Sequence, residues 1–215
     1  MKPILFNTEM VKAILNGRKT MTRRLIKFPK GTIGRLPEYR FVGKSPYLFY
    51  PCGIKHSKYK VGDVLYVRET WARVSDWTTV DEEVGVPDGY IYKADWDYRE
   101  NPKWHPSIHM PKEAARIFLK VTNVRVERLQ DISFIDALNE GIEPRITEYD
   151  GRLDHSEIAE AYSISCQKEC IDAFHKLWDS TIKKSELDRY GWNANPWVFV
   201  YQFDRCEKPV GEVKE

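Results

Sequence analysis

The stretch Gly17-Arg18-Lys19-Thr20-Met21-Thr22-Arg23-Arg24 constrains this chain more than any other. It follows Met10, Val11, Ile14 and Leu15, which recur at helical spacing behind Thr8, a residue suited to an N-cap, and Asn16-Gly17 is a helix stop. A fold that accepts this sequence must leave a short amphipathic helix and at once place four cations and two hydroxyls, with Met21 the one apolar side chain among them. Packing alone does not call for that mixture. An anionic ligand does, and so does a reaction that uses a lysine and a threonine together.

The charge distribution points the same way. The net charge of +2 hides an asymmetry: residues 1–60 carry 14 Lys and Arg against Glu9 and Glu38, and the rest of the chain carries 20 basic residues against 30 acidic ones. A basic segment on an otherwise acidic chain suggests an anion-binding face, with nucleic acid the leading partner. The bland alternative is mutual neutralisation of the two parts across the fold. At 215 residues and 42% hydrophobic content the chain is long and apolar enough to bury a core. It has no apolar run of the roughly 18 residues that a membrane span needs. The apolar stretch after Lys2 is too short for a signal peptide, so a cytoplasmic protein with no membrane partner is expected.

Periodicity reads as an α+β chain. Pro3 to Phe6 is strand-like. Val64 to Val67 is a β-branched and aromatic strand that continues through Val74, and Tyr90 to Lys93 is a short strand. Ile117 to Leu129 alternates as a half-buried strand should. Asp131 or Ser133 caps a helix that stops at Glu140-Gly141, and Ile171, Phe174, His175, Leu177 and Trp178 mark a second helix. Trp197 to Phe203 closes the chain as a strand. This order is neither a repeat nor an alternating βα series, which favours a mainly antiparallel, barrel-like sheet. The stretch from Pro29 to Lys60 reads as a basic loop with one hairpin near Tyr47–Tyr50, and 143–165 as a polar, acidic segment. Residues 75–110 form an irregular insertion rich in acids and aromatics.

Cys166 and Cys170 share a helix face but lack the spacing of a zinc knuckle, and with Cys52 and Cys206 they read as free thiols. His105 and His109 flank Pro106, which makes a helical metal pair doubtful. No metal or cofactor is expected.

Helix–Gly17-Arg18-Lys19-Thr20-x-Thr22-x-Arg24 followed by Val61-Gly62-Asp63-Val64-Leu65 resembles the ASCH domain. So does Ile132-Ser133-x3-Ala137-x2-Glu140-Gly141. Val67-Arg68-Glu69-Thr70-Trp71, His109-Met110-Pro111-x4-Arg116 and Tyr190-Gly191-Trp192-x-Ala194-Asn195-Pro196-Trp197-Val198 look like the larger phage and prophage members. The resemblance runs from Lys2 to about Arg205. It implies a single PUA-like β-barrel domain over 1–207 with flanking helices, insertions near 28–58, 75–104 and 145–168, and a polar tail at 208–215. It also implies nucleotide or RNA recognition. Small bacterial members, about half this length, act as N4-acetylcytidine amidohydrolases through a lysine, a threonine and a glutamate, which fall on Lys19, Thr22 and Glu140. Another member type is reported to cleave single-stranded RNA.

The residues suit that chemistry. Thr22 is a weak nucleophile unless a base stands beside it. Lys19 is such a base if burial or the cations Arg18, Arg23 and Arg24 lower its pKa, whereas a neighbouring glutamate raises it. Glu140 orients the lysine or moves a proton. Arg18, Thr20, Arg24, Glu69 and Trp71 are the expected substrate-binding residues, Glu69 as a second carboxylate and Trp71 as a stacking face for a base. Each also has a structural reading. Arg18 and Lys19 suit a helix C-terminus, Thr20 and Thr22 suit a strand, and Trp71 and Trp197 suit a core. Glu140 suits a solvated helix end, although a carboxylate there opposes the dipole. If Lys19 stays charged it is an oxyanion or phosphate clamp, and the chain is a non-catalytic RNA- or DNA-binding module; a metal-independent ribonuclease is a third reading.

Overall fold

The computed structural model describes residues 1–27, 38–42, 45–50, 53–74, 89–97, 102–143 and 155–209. Helices and mixed sheets make an α+β protein. The strands are β1 (Lys2–Leu5), β2 (Met21–Leu25), β3 (Glu38–Val42), β4 (Ser45–Tyr50), β5 (Gly53–His56), β6 (Val64–Arg68), β7 (Trp71–Arg73), β8 (Tyr90–Tyr92), β9 (Phe118–Arg128) and β10 (Trp197–Cys206). The α-helices are α1 (Thr8–Leu15), α2 (Phe134–Asn139), α3 (His155–Thr181) and α4 (Leu187–Tyr190). Strand pairing runs β1-β6-β9-β10-β2 in one sheet, β3-β4-β5 in a second and β7-β8 in a third. The β1–β6 pair is parallel, and β6–β9, β10–β2 and the pairs of the two smaller sheets are antiparallel. Among the described residues the larger sheet ends on β1 and β2, with no pairing that closes it.

The chain divides into two compact units. The first comprises residues 1–17, 62–121 and 203–215, and the second 18–61 and 122–202. Strands β9 and β10 are long enough to contribute to both.

In the first unit, β1 lies in register with β6, Ile4 opposite Val67. Helix α1 is capped by Asn7, whose side chain accepts from the Met10 amide. Thr8, the expected cap, is the first helical residue; an amide oxygen one position earlier reaches the same orphan donors. Val11, Ala13 and Ile14 are its buried residues. Gly17, at φ +73°, adopts the left-handed backbone that ends the helix, a conformation that costs a Cβ-bearing residue strain. A second core gathers Trp71, Met110, Ala114, Ala115 and Phe118. The expected strand from Val64 to Val74 is broken at Glu69-Thr70, and β7 turns to pair with β8.

In the second unit, β2 is antiparallel to β10, and their register decides which side chains share a face. Met21, Arg23 and Leu25 oppose Gln202, Val200 and Val198, while Thr22 and Arg24 oppose Tyr201 and Phe199. Residues directly opposite point to the same side of a sheet. Met21, Val198 and Val200 therefore face the core, packed with Leu129, Ile132, Ala137, Cys170, Phe174 and Trp178.

Two segments differ from their sequence reading. The basic segment before Lys60 contains three strands, β3 to β5, with β4 paired to both neighbours, where one hairpin was expected. Prolines and lysines hid the alternation there. Helix α3 starts at His155, well before the apolar stripe of Ile171 to Trp178. Its first turns carry Ile158, Ala161 and Tyr162 at helical spacing, a recurrence that the polar reading of 143–165 overlooked.

Candidate active site

The site is assembled in the second unit at the junction of α2 with the start of β2. Ser133 caps α2 by accepting from the Asp136 amide. The helix ends at Glu140, its C-cap, and Gly141 follows at φ +94°. The Gly141 amide donates to Leu138 O at 2.8 Å and the Ile142 amide to Ala137 O at 3.2 Å, the paired bonds of a Schellman ending. This ending fixes the direction of the Glu140 side chain. The remaining carbonyls at this end are met by the cations that follow α1. Arg18 Nη1 donates to Gly141 O at 3.1 Å, and Lys19 Nζ donates to Glu140 O at 2.8 Å. These contacts satisfy carbonyls that a helix leaves orphaned and place positive charge at the negative end of its dipole. The sequence suggested that role at the end of α1; the structure gives it to them at the end of α2. Lys19 and Glu140 also form an isolated antiparallel bridge, and the Thr20 amide donates to Asn139 O at 2.9 Å.

The same lysine reaches the carboxylate: Lys19 Nζ lies 2.7 Å from Oε2 of Glu140. The side-chain exposures are 0% and 4%, so the pair is out of water. Burial pushes the Lys19 pKa below its ordinary 10.5, and this outweighs the opposing pull of Glu140; the charges of Arg24 and Arg23 push in the same direction as burial. The sequence left open which influence wins, and in this geometry desolvation does.

Thr22 and Arg24 lie on the face of β2 opposite to Met21 and Arg23, beside the buried Tyr201 and Phe199, and Thr22 is only 3% exposed. On β10, Tyr201 lies opposite Thr22, with its hydroxyl 2.9 Å from that of Ser57 and its ring 5.0 Å from Tyr59. Burial lowers the Arg24 pKa and raises that of Tyr201. Arg24 stays cationic nonetheless, because its ordinary value lies far above any working pH.

Sequence reasoning missed the other half of the charge cluster. Arg23, considered only as a cationic neighbour, has a side chain with 0% exposure. Its Nη2 donates to Asp136 at 2.6 Å and to Glu127 at 3.0 Å, and its Nη1 lies 3.4 Å from Oε1 of Glu140. Arg125 also contacts Asp136, at 2.7 Å, and Glu127. The available signal was the strand period. Position 23 alternates with Thr22 and shares its face with Met21, and a guanidinium placed toward a core demands carboxylates.

The first unit holds the remaining two expected residues. Glu69 is 1% exposed, and Arg116 grips it with Nε and Nη2, each 3.0 Å from a carboxylate oxygen. Arg116 also contacts Asp95 and lies over the Tyr92 ring at 4.0 Å. Burial raises the Glu69 pKa, against the guanidinium's pull. Trp71 is 6% exposed, packed against Tyr90 at 5.5 Å and His105 at 4.9 Å between ring centroids. That burial makes Trp71 a core residue. Stacking on a base needs an open aromatic face, which a side chain enclosed by these partners does not offer.

Among the described residues, no cluster of three or more His, Cys, Asp or Glu is arranged to hold a metal ion. Cys166, Cys170 and Cys206 are free thiols, and Cys52 lies outside the described residues. Among the described residues no helix is long and apolar enough to cross a membrane. No family model, curated protein or solved structure matches the chain.

Proposed function

We propose that the chain is an ASCH-type, PUA-like cytoplasmic amidohydrolase that removes an acyl group from the exocyclic nitrogen of a modified pyrimidine nucleoside. The observation that carries this reading is the fully buried Lys19, bonded to both the backbone oxygen and the carboxylate of Glu140. Burial pushes the Lys19 pKa below its ordinary value, which brings the neutral amine that a general base requires within easier reach than in a surface lysine. The spacing of Lys19, Thr22 and Arg24 and the position of Glu140 before Gly141 resemble the ASCH motif.

In the proposed reaction neutral Lys19 takes the proton of the Thr22 hydroxyl as its oxygen attacks the acyl carbonyl. The carbonyl oxygen gains negative charge, and the half-buried guanidinium of Arg24, on the Thr22 face of β2, is suited to stabilise it. The C–N bond breaks, and the proton held by Lys19 passes to the departing amine nitrogen. Water then attacks the acyl-threonine ester, giving up its proton to Lys19. The bond from the acyl carbon to the Thr22 oxygen then breaks, Lys19 returns its proton to that oxygen, and the carboxylic acid leaves.

Purified protein mixed with N4-acetylcytidine and other N-acylated nucleosides, quenched on the millisecond-to-second scale, tests the scheme by intact mass. The reading expects product together with a transient mass gain of one acyl group that is absent from Thr22→Ala. Failure to turn over any acylated nucleoside overturns it. Cleavage of labelled single-stranded RNA by the same preparation would replace it with the ribonuclease reading.

A second reading rests on the 2.7 Å contact itself, the geometry of a charged pair. With Lys19 charged, the site is a clamp for a phosphate or an RNA end, and affinity falls steeply with salt as counterions are released.

A further inference from the structure

Glu140 is shared between two buried cations, and the sharing is ordered. Oε2 meets Lys19 at 2.7 Å, whereas Oε1 meets Arg23 Nη1 at 3.4 Å. Arg23 is in turn fixed at its other end by Asp136 on α2 and Glu127 on β9, and Arg125 clamps both of those carboxylates. Its guanidinium carbon lies 5.9 Å from the centre of the Phe174 ring, so α3 contributes an aromatic face to the cluster. A buried ion cluster of this kind adds little stability compared with well-packed apolar side chains. Its contribution is a fixed geometry.

We infer that Arg23 is the positioning residue of the site: by holding Oε1 of Glu140 it reserves Oε2 for Lys19 and fixes where the lysine amine points. This rests on the amidohydrolase reading for its catalytic meaning but not for its geometry. Arg23 touches no reacting atom. It acts through Glu140, and through its charge on Lys19.

Removing the guanidinium has consequences of one sign. Glu140 loses its second cation and gives more of its charge to Lys19. Asp136 and Glu127 lose a counter-charge, with Arg125 left to face them. Lys19 loses a repelling neighbour while Arg24 remains. Each change stabilises the protonated lysine. Neutralising Asp136 does the reverse, because Arg23 then brings more uncompensated charge to Glu140 and Lys19.

The test is the titration of the Lys19 amine, followed by NMR of protein labelled at lysine Cε and assigned by the loss of one signal in Lys19→Arg. It is read in wild type, Arg23→Met, Arg23→Lys and Asp136→Asn, with folding checked by circular dichroism. The expected result is an upward move of the Lys19 midpoint in Arg23→Met, a smaller one in Arg23→Lys, and a downward move in Asp136→Asn. Arg23→Met should also shift the acidic limb of the pH–rate profile to higher pH and lower kcat at pH 7 by about tenfold or more, a loss typical of a misplaced catalytic group. A folded Arg23→Met with an unmoved Lys19 midpoint overturns the inference. Should Arg23→Met not fold, Asp136→Asn decides, and an unmoved or raised midpoint there overturns it equally. Because the titration needs no substrate, a protein inactive on every acylated nucleoside leaves this test intact.

Discussion

Lys19 Nζ lies 2.7 Å from Oε2 of Glu140 although 121 positions separate them in the chain. The turn after α1 and the Schellman ending of α2 deliver the two ends of this contact, and burial of both side chains gives it its chemical character. An exposed pair at the same distance would be worth little and would leave the lysine near its ordinary pKa. A buried pair couples protonation, stability and activity, and those couplings are measurable.

Breaking the cluster at its two cations should cost different amounts. Lys19→Met leaves Glu140 with Arg23 still 3.4 Å from Oε1, so its cost in urea unfolding at pH 7 should fall below the about 3–5 kcal/mol typical of orphaning a buried charge. Arg23→Met withdraws one cation from Glu127, Asp136 and Glu140 together and should cost about 3–5 kcal/mol or more. Equal costs, or a larger one for Lys19→Met, would show that the network is not shared as described.

The depressed Lys19 pKa sets the sign of a pH effect. Between the folded value and the ordinary 10.5 the unfolded chain binds more protons at this position than the folded one. Stability therefore rises with pH through that interval, and the gain is lost as pH falls through the folded value. The stability difference between wild type and Lys19→Met, measured from pH 7 to 10, should move in favour of wild type as pH rises. A difference that stays constant, or moves the other way, would mean that the Lys19 pKa is not depressed.

Trp71 should behave as a core residue. Trp71→Ala, which empties the space among Tyr90, His105, Met110 and Phe118, should cost about 3–5 kcal/mol in denaturant unfolding. Trp71→Phe should cost much less, because it keeps most of the ring contact and removes an Nε1–H that has no hydrogen-bond partner among the described residues. A small cost for Trp71→Ala together with weakened nucleoside binding would return this side chain to the role of a stacking platform.

The legibility of the molecule from its sequence varied with the range of the interaction. Local signals were readable. Helical recurrence from Met10 to Leu15, the Ser133 cap and the alternation of β9 all correspond to described elements, with ends shifted by a residue or two. The cap of α1 was misplaced by one position because Asn7 and Thr8 are both capping residues in succession. The β3–β5 sheet was illegible beyond one hairpin because its apolar alternation is interrupted by Pro46 and Lys55. In the site, the resemblance to the ASCH domain singled out Lys19, Thr22 and Glu140, but the competition between burial and Glu140 over the lysine pKa required the fold. The carboxylates around Arg23 come from β9 and α2, more than 100 positions away, a distance no local pattern spans.

The most direct test of the account is the turnover of N4-acetylcytidine by wild type and Lys19→Ala side by side at pH 7, with products separated chromatographically and folding of both proteins verified. The account predicts deacetylation to cytidine and acetate by wild type and a loss of at least about 100-fold in Lys19→Ala, the lower range for removing a general base. Unimpaired deacetylation by folded Lys19→Ala would contradict the role given to the buried lysine, and no deacetylation by wild type would contradict the assignment of this substrate.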